Sequence, residues 1–288
     1  MKPVPKAKQL FVTDFDGTLL KDDKTISHED FTTLEKLRQK KVVTAIATGR
    51  SLGSLMKALM AIGMDSGDRL LPVDYVIFST GAGIMQFPSC KVIWQRSVPP
   101  LDVKKITRYF DHQKFDYMVH QSIPDTIRFL YKFHGSHNPD FHARLALYRE
   151  YAFPLAGTDF DFGAATEVLA IIPGQADMAA IELIKKDLSA FSVIHATSPL
   201  DHQSAWIEVF HRDVSKAKAV SRLVLKLGIS RENVVSVGND YNDQDLLAWS
   251  GIGFVVENAP GILKQQYKTV PSNNQSGMTR AARESGLV

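Results

Sequence analysis

The sequence predicts an α/β fold in which a parallel-sheet domain is interrupted by a second, mixed α+β domain. Three observations carry that prediction. Short, nearly continuous apolar runs recur towards both ends of the chain, at Leu10-Val12, Val42-Ala47, Tyr75-Phe78, Val234-Val237 and Gly251-Val256. Rich in Val, Ile and Phe and bounded by polar or Gly turns, they have the pattern of strands buried on both faces. Helical periodicity separates them, and strand alternating with helix builds parallel sheets. The middle of the chain drops that alternation.

The elements justify this reading in order. After Leu10-Val12, Phe31, Leu34 and Leu37 recur at helical spacing behind Ser27, a cap candidate. After Val42-Ala47, the residues Leu52, Leu55, Leu59 and Ile62 form a second apolar stripe. From about Met85 to His195 the strand candidates are Lys91-Trp94, Tyr117-His120, Thr126-Tyr131 and Val168-Ile172. Helical stretches near Val103-His112, Phe141-Arg149 and Ala176-Ala190 accompany them without a regular order. Val220, Leu223, Val224 and Leu227 then make a third helical stripe, closed by Gly228. The expected organisation is a discontinuous core, residues 1–84 and 199–288, around an insert over 85–198. A length of 288 residues accords with two domains.

Composition narrows the function. Hydrophobic residues make up 44% and charged residues 23%, an ordinary globular balance. The single cysteine, Cys90, rules out an intrachain disulfide and an all-cysteine metal site, and suits a reducing compartment. Thirty-four basic and 31 acidic residues are spread along the chain with no basic stripe, which argues against nucleic acid as a partner. The longest stretch free of Asp, Glu, Lys and Arg, Tyr75 to Cys90, is broken by Gly81, Gly83 and Pro88, unlike a membrane-spanning helix. Lys2, Lys6 and Lys8 precede an apolar run that ends at Asp14, too short for a signal-peptide core. A cytoplasmic protein, monomeric or a weak homodimer, is the expectation.

Four junctions where a strand meets a helix carry chemistry. At the first, Phe11-Val12-Thr13-Asp14-Phe15-Asp16-Gly17-Thr18, an apolar strand ends in two carboxylates followed by a permissive glycine. Open parallel sheets place ligands at such carboxyl ends, and adjacent carboxylates repel unless a cation or proton relieves them. At the second, Val234-Val237 delivers Gly238-Asn239-Asp240-Tyr241-Asn242-Asp243, an oxygen-rich set suited to Mg²⁺ or to capping a helix. The third, Thr48-Gly49-Arg50, offers a hydroxyl and amides at a helix start, an anion site or a cap. The fourth is Lys216 in a first helical turn, where it opposes the macrodipole.

In this order and spacing, Asp14-x-Asp16-Gly17-Thr18, Thr48-Gly49-Arg50, Lys216 and Gly238-Asn239-x-x-Asn242-Asp243 resemble the haloacid dehalogenase-like hydrolase superfamily. The insert resembles the large cap of its Cof-type branch. The resemblance implies a Rossmann-like core with an inserted cap. It also implies phosphoryl transfer to a nucleophilic Asp14, with Asp16 as general acid and base. Thr48 and Lys216 would hold phosphoryl oxygens, with Gly17, Gly49, Arg50 and Asn242 as further substrate contacts. Mg²⁺ would sit at Asp14, Asp16, Asn239 and Asp243. The implied substrate is a small phosphomonoester, a sugar phosphate by family analogy. The alternatives are a phosphotransferase or mutase on the same scaffold, or a weakened phosphate-binding protein.

One position departs from the family pattern: Asn239 stands where an Asp is usual. An amide oxygen still ligates a cation, but one negative charge is gone. The histidines of the insert, among them His112, His120, His134, His137 and His142, lack the spacing of a compact zinc site and read as packed or surface residues.

Overall fold

A computed structural model describes residues 8–65, 70–135, 137–155, 163–174 and 177–288. Lys2, Lys6 and Ala176, which entered the sequence reading, lie outside the described residues. The chain divides into two compact units, one of residues 1–50, 55–94 and 215–288, the other of residues 51–54 and 95–214.

The first unit opens with β1 (Leu10–Thr13), α1 (His28–Gln39), β2 (Val43–Ala47), α2 (Leu52–Ala61), β3 (Tyr75–Phe78), β4 (Gly83–Gln86) and β5 (Lys91–Gln95). The second contains α3 (Pro100–Gln113), β6 (Asp116–Gln121), β7 (Phe129–Lys132), α4 (Pro139–Leu147) and β8 (Ala152–Pro154). It continues with β9 (Ala165–Ile172), α5 (Met178–Asp187), β10 (Ser192–Thr197) and β11 (Ala205–Phe210). The chain then returns through α6 (Lys216–Leu227), β12 (Val234–Gly238), α7 (Gln244–Trp249), β13 (Ile252–Val256), α8 (Gly261–Gln266), β14 (Lys268–Val270) and α9 (Gly277–Glu284).

In the first unit these strands form one eight-stranded sheet, ordered β14-β13-β12-β1-β2-β3-β4-β5. From β14 to β3 every pairing is parallel, and β4 adds antiparallel to β3. The α/β expectation holds. β1 is buried along its whole length because it lies mid-sheet, with Leu10 and Val12 packed against Val220, Leu223 and Val224 of α6. Ser27 caps α1 through the Asp30 N–H, 2.9 Å from its hydroxyl, and Gly228 ends α6 in the left-handed region at φ 66°. From β1 the chain order runs one way to β2 and β3, and on the other side lie β12 to β14. The boundary between β1 and β12 is therefore a topological switch point, where carboxyl ends of adjacent strands splay apart and leave a crevice.

The second unit is a six-stranded sheet ordered β10-β11-β9-β6-β7-β8, with antiparallel pairing throughout except between β7 and β8. On one face Val103, Ile106 and Phe110 of α3 and Ile181 and Ile184 of α5 cover Tyr117, Val119, Val168 and Ile207. The other face carries Met118, Phe129, Leu169 and Trp206 against Phe141 of α4.

The units part at Gln95 and Ser215, whereas the sequence reading drew the joints at 85 and 199. Lys91-Trp94, expected in the insert, extends the eight-stranded sheet as β5. Ala205–Phe210, expected in the core, is β11 of the six-stranded sheet and pairs β9 and β10. Both are short apolar strands, β11 between antiparallel neighbours, and local pattern does not reveal which sheet such a strand joins.

Candidate active site

The carboxyl end of β1 runs directly into Asp14, whose N–H donates to the Val237 carbonyl of β12 at 2.9 Å. That bond places the Asp14 side chain at the switch point, 5% exposed. Lys216, the first residue of α6, donates from Nζ to Asp14 Oδ1 at 2.7 Å and to Asp243 Oδ1 at 2.6 Å. Ser215 caps that helix, its hydroxyl accepting the Lys218 N–H at 3.2 Å. Lys216 is completely buried, an arrangement that stands only because two carboxylates face it. Burial by itself would lower its pKa, but Asp14 and Asp243 outweigh it and hold the ammonium above its ordinary value. Burial likewise pushes Asp14 up to about 7, against the pull of Lys216 and with a further push from Asp243.

Asp243, expected among the cation ligands, has both carboxylate oxygens engaged within the protein. Its Oδ1 faces Lys216, and its Oδ2 accepts the N–H groups of Asn239 at 2.9 Å and Asp240 at 3.2 Å. Both oxygens are engaged in shaping the loop after β12 and fixing the ammonium. Gly238 permits this, since a Cβ there would collide with the Asp243 carboxylate. Asn242, expected at the phosphate, backs the same ammonium at 3.4 Å through its Oδ1.

Oxygens converge instead around Asn239. Turned one way, its amide nitrogen donates to the Asp16 carbonyl at 3.1 Å, Asp14 Oδ2 at 3.2 Å and Thr18 Oγ1 at 3.3 Å. Turned the other way, its oxygen accepts from Thr18 Oγ1 at 3.3 Å and points at the same two acceptors. A carboxylate oxygen, a carbonyl and an amide oxygen facing one another are the donor set of a hard divalent cation, so Asp14, Asp16 and Asn239 fit Mg²⁺. Among the described residues no group of three or more His, Cys, Asp or Glu is arranged to hold a metal ion. A cation here would therefore rest on this mixed oxygen set. Gly17, with φ +72°, lets the loop fold over it, where a Cβ would come within 2.5 Å of the Asn239 amide.

Asp16 forms a bidentate pair with Arg50, from Nε to Oδ2 and from the terminal guanidinium nitrogen to Oδ1, both at 2.6 Å. Arg50 was expected on substrate; here it faces the second carboxylate. Thr48, 1% exposed, follows β2 and accepts the Arg50 N–H through its hydroxyl at 3.1 Å, with Gly49 between them. Ser51 takes the capping position of α2, accepting the Ser54 N–H at 3.2 Å. Thus β1, β2, β12 and α6 bring together Asp14, Asp16, Thr48, Arg50, Lys216 and Asn239.

Sequence reasoning passed over three supporting residues. Asn258, just beyond β13, donates to the Gly17 carbonyl at 2.8 Å. Its position at the carboxyl end of another core strand was the available signal. Ser79 and Thr80, both buried with φ of 47° and 52°, donate their N–H groups to the carbonyls of Arg50 and Thr48 at 2.8 and 3.0 Å. Two successive non-glycine residues in the left-handed region are costly, and here they clamp the Thr48 loop.

The chain is 25% identical over 289 residues to the 5-amino-6-(5-phospho-D-ribitylamino)uracil phosphatase YitU of Bacillus subtilis, covering 96% of each. It is 23% identical over 265 residues to an HMP-PP phosphatase of Escherichia coli, covering 91% of this chain and 89% of that protein. Its fold matches a haloalkanoate-superfamily phosphatase from Bacteroides thetaiotaomicron with TM-score 0.75 at 19% identity, covering 100% of this chain and 99% of the other. A subclass IIB sugar phosphatase matches with TM-score 0.73 at 16% identity, covering 98% and 100%. The model of the haloacid dehalogenase-like hydrolases matches residues 11–281. The chain belongs to that family and is a hydrolytic enzyme.

Proposed function

We propose that the protein is a Mg²⁺-dependent phosphatase acting on a small phosphomonoester through an aspartyl-phosphate on Asp14. The observation that carries this reading is the buried Lys216 ammonium holding Asp14 Oδ1 at the switch point. Such a clamp fixes one carboxylate oxygen and leaves Oδ2 on the side of the Asp16 carbonyl and Asn239.

In the first step an Asp14 oxygen bonds to phosphorus and the bond from phosphorus to the ester oxygen breaks, while Asp16 gives its proton to the departing alcohol. In the second step Asp16 takes a proton from water, whose oxygen bonds to phosphorus as the bond to Asp14 breaks. Inorganic phosphate leaves and both residues are restored. Asp16 is held by Arg50 through two hydrogen bonds, and that pair must open for Asp16 to reach the ester oxygen. Thr48 and Lys216 offer a hydroxyl and an ammonium to the phosphoryl oxygens. Asp14, the Asp16 carbonyl and Asn239 would hold Mg²⁺, which when bound supplies charge neutralisation for nucleophile and phosphate.

Phosphate release from an aryl phosphate tests the reading. Release that needs Mg²⁺, stops with chelator and falls to background in Asp14→Asn is expected. Release that survives Asp14→Asn overturns the nucleophile, and no release by folded, Mg²⁺-bound protein across aryl and sugar phosphates overturns the phosphatase.

A further inference from the structure

The loop that carries Asp16 and Gly17 is held by asparagines far away in sequence. Asn258, just past β13, donates from Nδ2 to the Gly17 carbonyl at 2.8 Å, and its Oδ1 accepts the Asn273 N–H at 3.1 Å. Asn273, which is buried, donates in turn to the Leu20 carbonyl at 3.1 Å and to Asp22 Oδ1 at 3.0 Å. Asn274 closes the outer end, donating to Asp22 Oδ2 at 2.7 Å and accepting the Asp22 N–H at 3.1 Å. The segment that supplies these residues is itself tied to α1. Thr279 of α9 donates to the buried Asp30 carboxylate through its N–H at 3.0 Å and its hydroxyl at 2.7 Å.

The bond to Gly17 differs from the others in what it holds. Gly17 has no Cβ and sits at φ +72°, so its backbone turns where another residue's would be blocked. Within the loop, the peptide joining Gly17 to Thr18 is tied at its N–H to the Phe15 carbonyl over a stretched 3.5 Å. Asn258 takes the carbonyl of that same peptide. The peptide on the other side of Gly17 begins with the Asp16 carbonyl, one of the oxygens gathered around Asn239. A glycine between two such carbonyls transmits any rotation of one to the other.

Position 258 calls for an amide. Its side chain must offer a donor to a carbonyl and an acceptor to an N–H at once, and a carboxylate serves only the second. Stability does not account for these bonds. Asn258 is exposed, so water would serve its amide almost as well and the bonds add little to folding. Groups that hold a ligand's own surroundings in place govern affinity instead. We propose that Asn258 is a positioning residue: by holding the Gly17 carbonyl it keeps the Asp16 carbonyl turned towards Asp14 Oδ2 and Asn239, where a divalent cation would bind. Its effect on turnover rests on the phosphatase reading, whereas its effect on cation affinity is measured with no ester present.

Calorimetric titration of the full chain with Mg²⁺ tests this in wild type, Asn258→Ala, Asn258→Leu and Asn274→Ala. Both Asn258 variants should bind Mg²⁺ roughly tenfold more weakly, with Asn274→Ala within about twofold of wild type. Asn274→Ala cuts two bonds at the outer end of the same loop and so reports what general loosening does. Urea midpoints of all four proteins should agree closely. Unchanged affinity in the folded Asn258 variants overturns the proposal, as does an equal loss in Asn274→Ala or a wild type that binds no Mg²⁺. Near-UV circular dichroism reveals a variant that fails to fold; the other Asn258 variant then decides, and unfolding of both makes the residue structural and overturns the proposal. In the activity arm, kcat/KM for an aryl phosphate should fall at low Mg²⁺ and recover as Mg²⁺ is raised, and a loss that no Mg²⁺ concentration recovers overturns a role through the cation. A protein that hydrolyses no phosphate ester defeats the phosphatase reading alone, and the titration still decides the role of Asn258.

Discussion

Each unit buries a set of ionisable side chains against its sheet, and the two sets are built on opposite principles. In the first, every charge has its counter-charge within hydrogen-bonding distance: Asp14 and Asp243 on Lys216, Asp16 on Arg50. In the second, His120 Nε2 and Arg144 Nε have no partner among the described residues. The difference teaches how to read buried polarity. A set closed on itself is preorganised and holds reacting atoms still, whereas a set left open carries the cost of its unpaired atoms.

Breaking the closed set should have the largest consequences. Replacing Asp16 by Asn should lower turnover of alkyl phosphates by roughly 10²- to 10⁴-fold, the range of one general acid or base. The loss should be smaller for an aryl phosphate, whose leaving group needs no proton. Equal losses on both would mean that Asp16 serves only to hold Arg50. Lys216→Met removes the ammonium between two buried carboxylates and should cost about 3 to 5 kcal/mol of stability, read from urea unfolding. A loss near zero would show that the set is not closed in solution.

The open set should betray itself through pH. Burial and Arg144 lower the His120 pKa from 6.5 to about 3. Between those values the unfolded chain binds a proton that the folded one refuses, so stability falls as pH falls. Glu167, raised in the folded state, acts with the opposite sign, its contribution being lost as pH rises. The informative quantity is therefore the difference from His120→Asn: wild type should lose about 2 kcal/mol more than the variant between pH 7 and 5. Parallel curves would contradict a neutral, buried imidazole. The smallest effect concerns Asn239. Restoring a carboxylate with Asn239→Asp should tighten Mg²⁺ by roughly tenfold, about 1.4 kcal/mol, in a calorimetric titration. Unchanged affinity would remove Asn239 from the cation's surroundings.

The closed set was legible in the sequence, and the open one was not, for a physical reason. Asp14, Thr48 and Asn239 each follow an apolar strand buried on both faces, so each announces itself as a strand's carboxyl end. Even so, the pairing of Asp243 with Lys216 was hidden, because an acidic side chain in an oxygen-rich loop looks the same whether it faces a cation or an ammonium. His120, Glu167 and Glu208 come from three strands whose shared face depends on register, and register is invisible until the sheet exists. His120 was expected to be packed; its packing leaves one ring nitrogen without a hydrogen-bond partner among the described residues. The joints were misplaced for a related reason, since β5 and β11 are apolar strands that either sheet would accept.

The sheet order also determines when each set comes into being during synthesis. β1 pairs with β12, Leu10 beside Val234, so its partner is made more than two hundred residues later. The six-stranded sheet draws all its strands from one continuous stretch, Asp116 to Phe210. A chain emerging from the ribosome thus completes the second sheet while β1, already exposed, still lacks one neighbour. Its Leu10 and Phe11 are an aggregation hazard throughout that interval, and the speed of translation across the insert sets how long the hazard lasts.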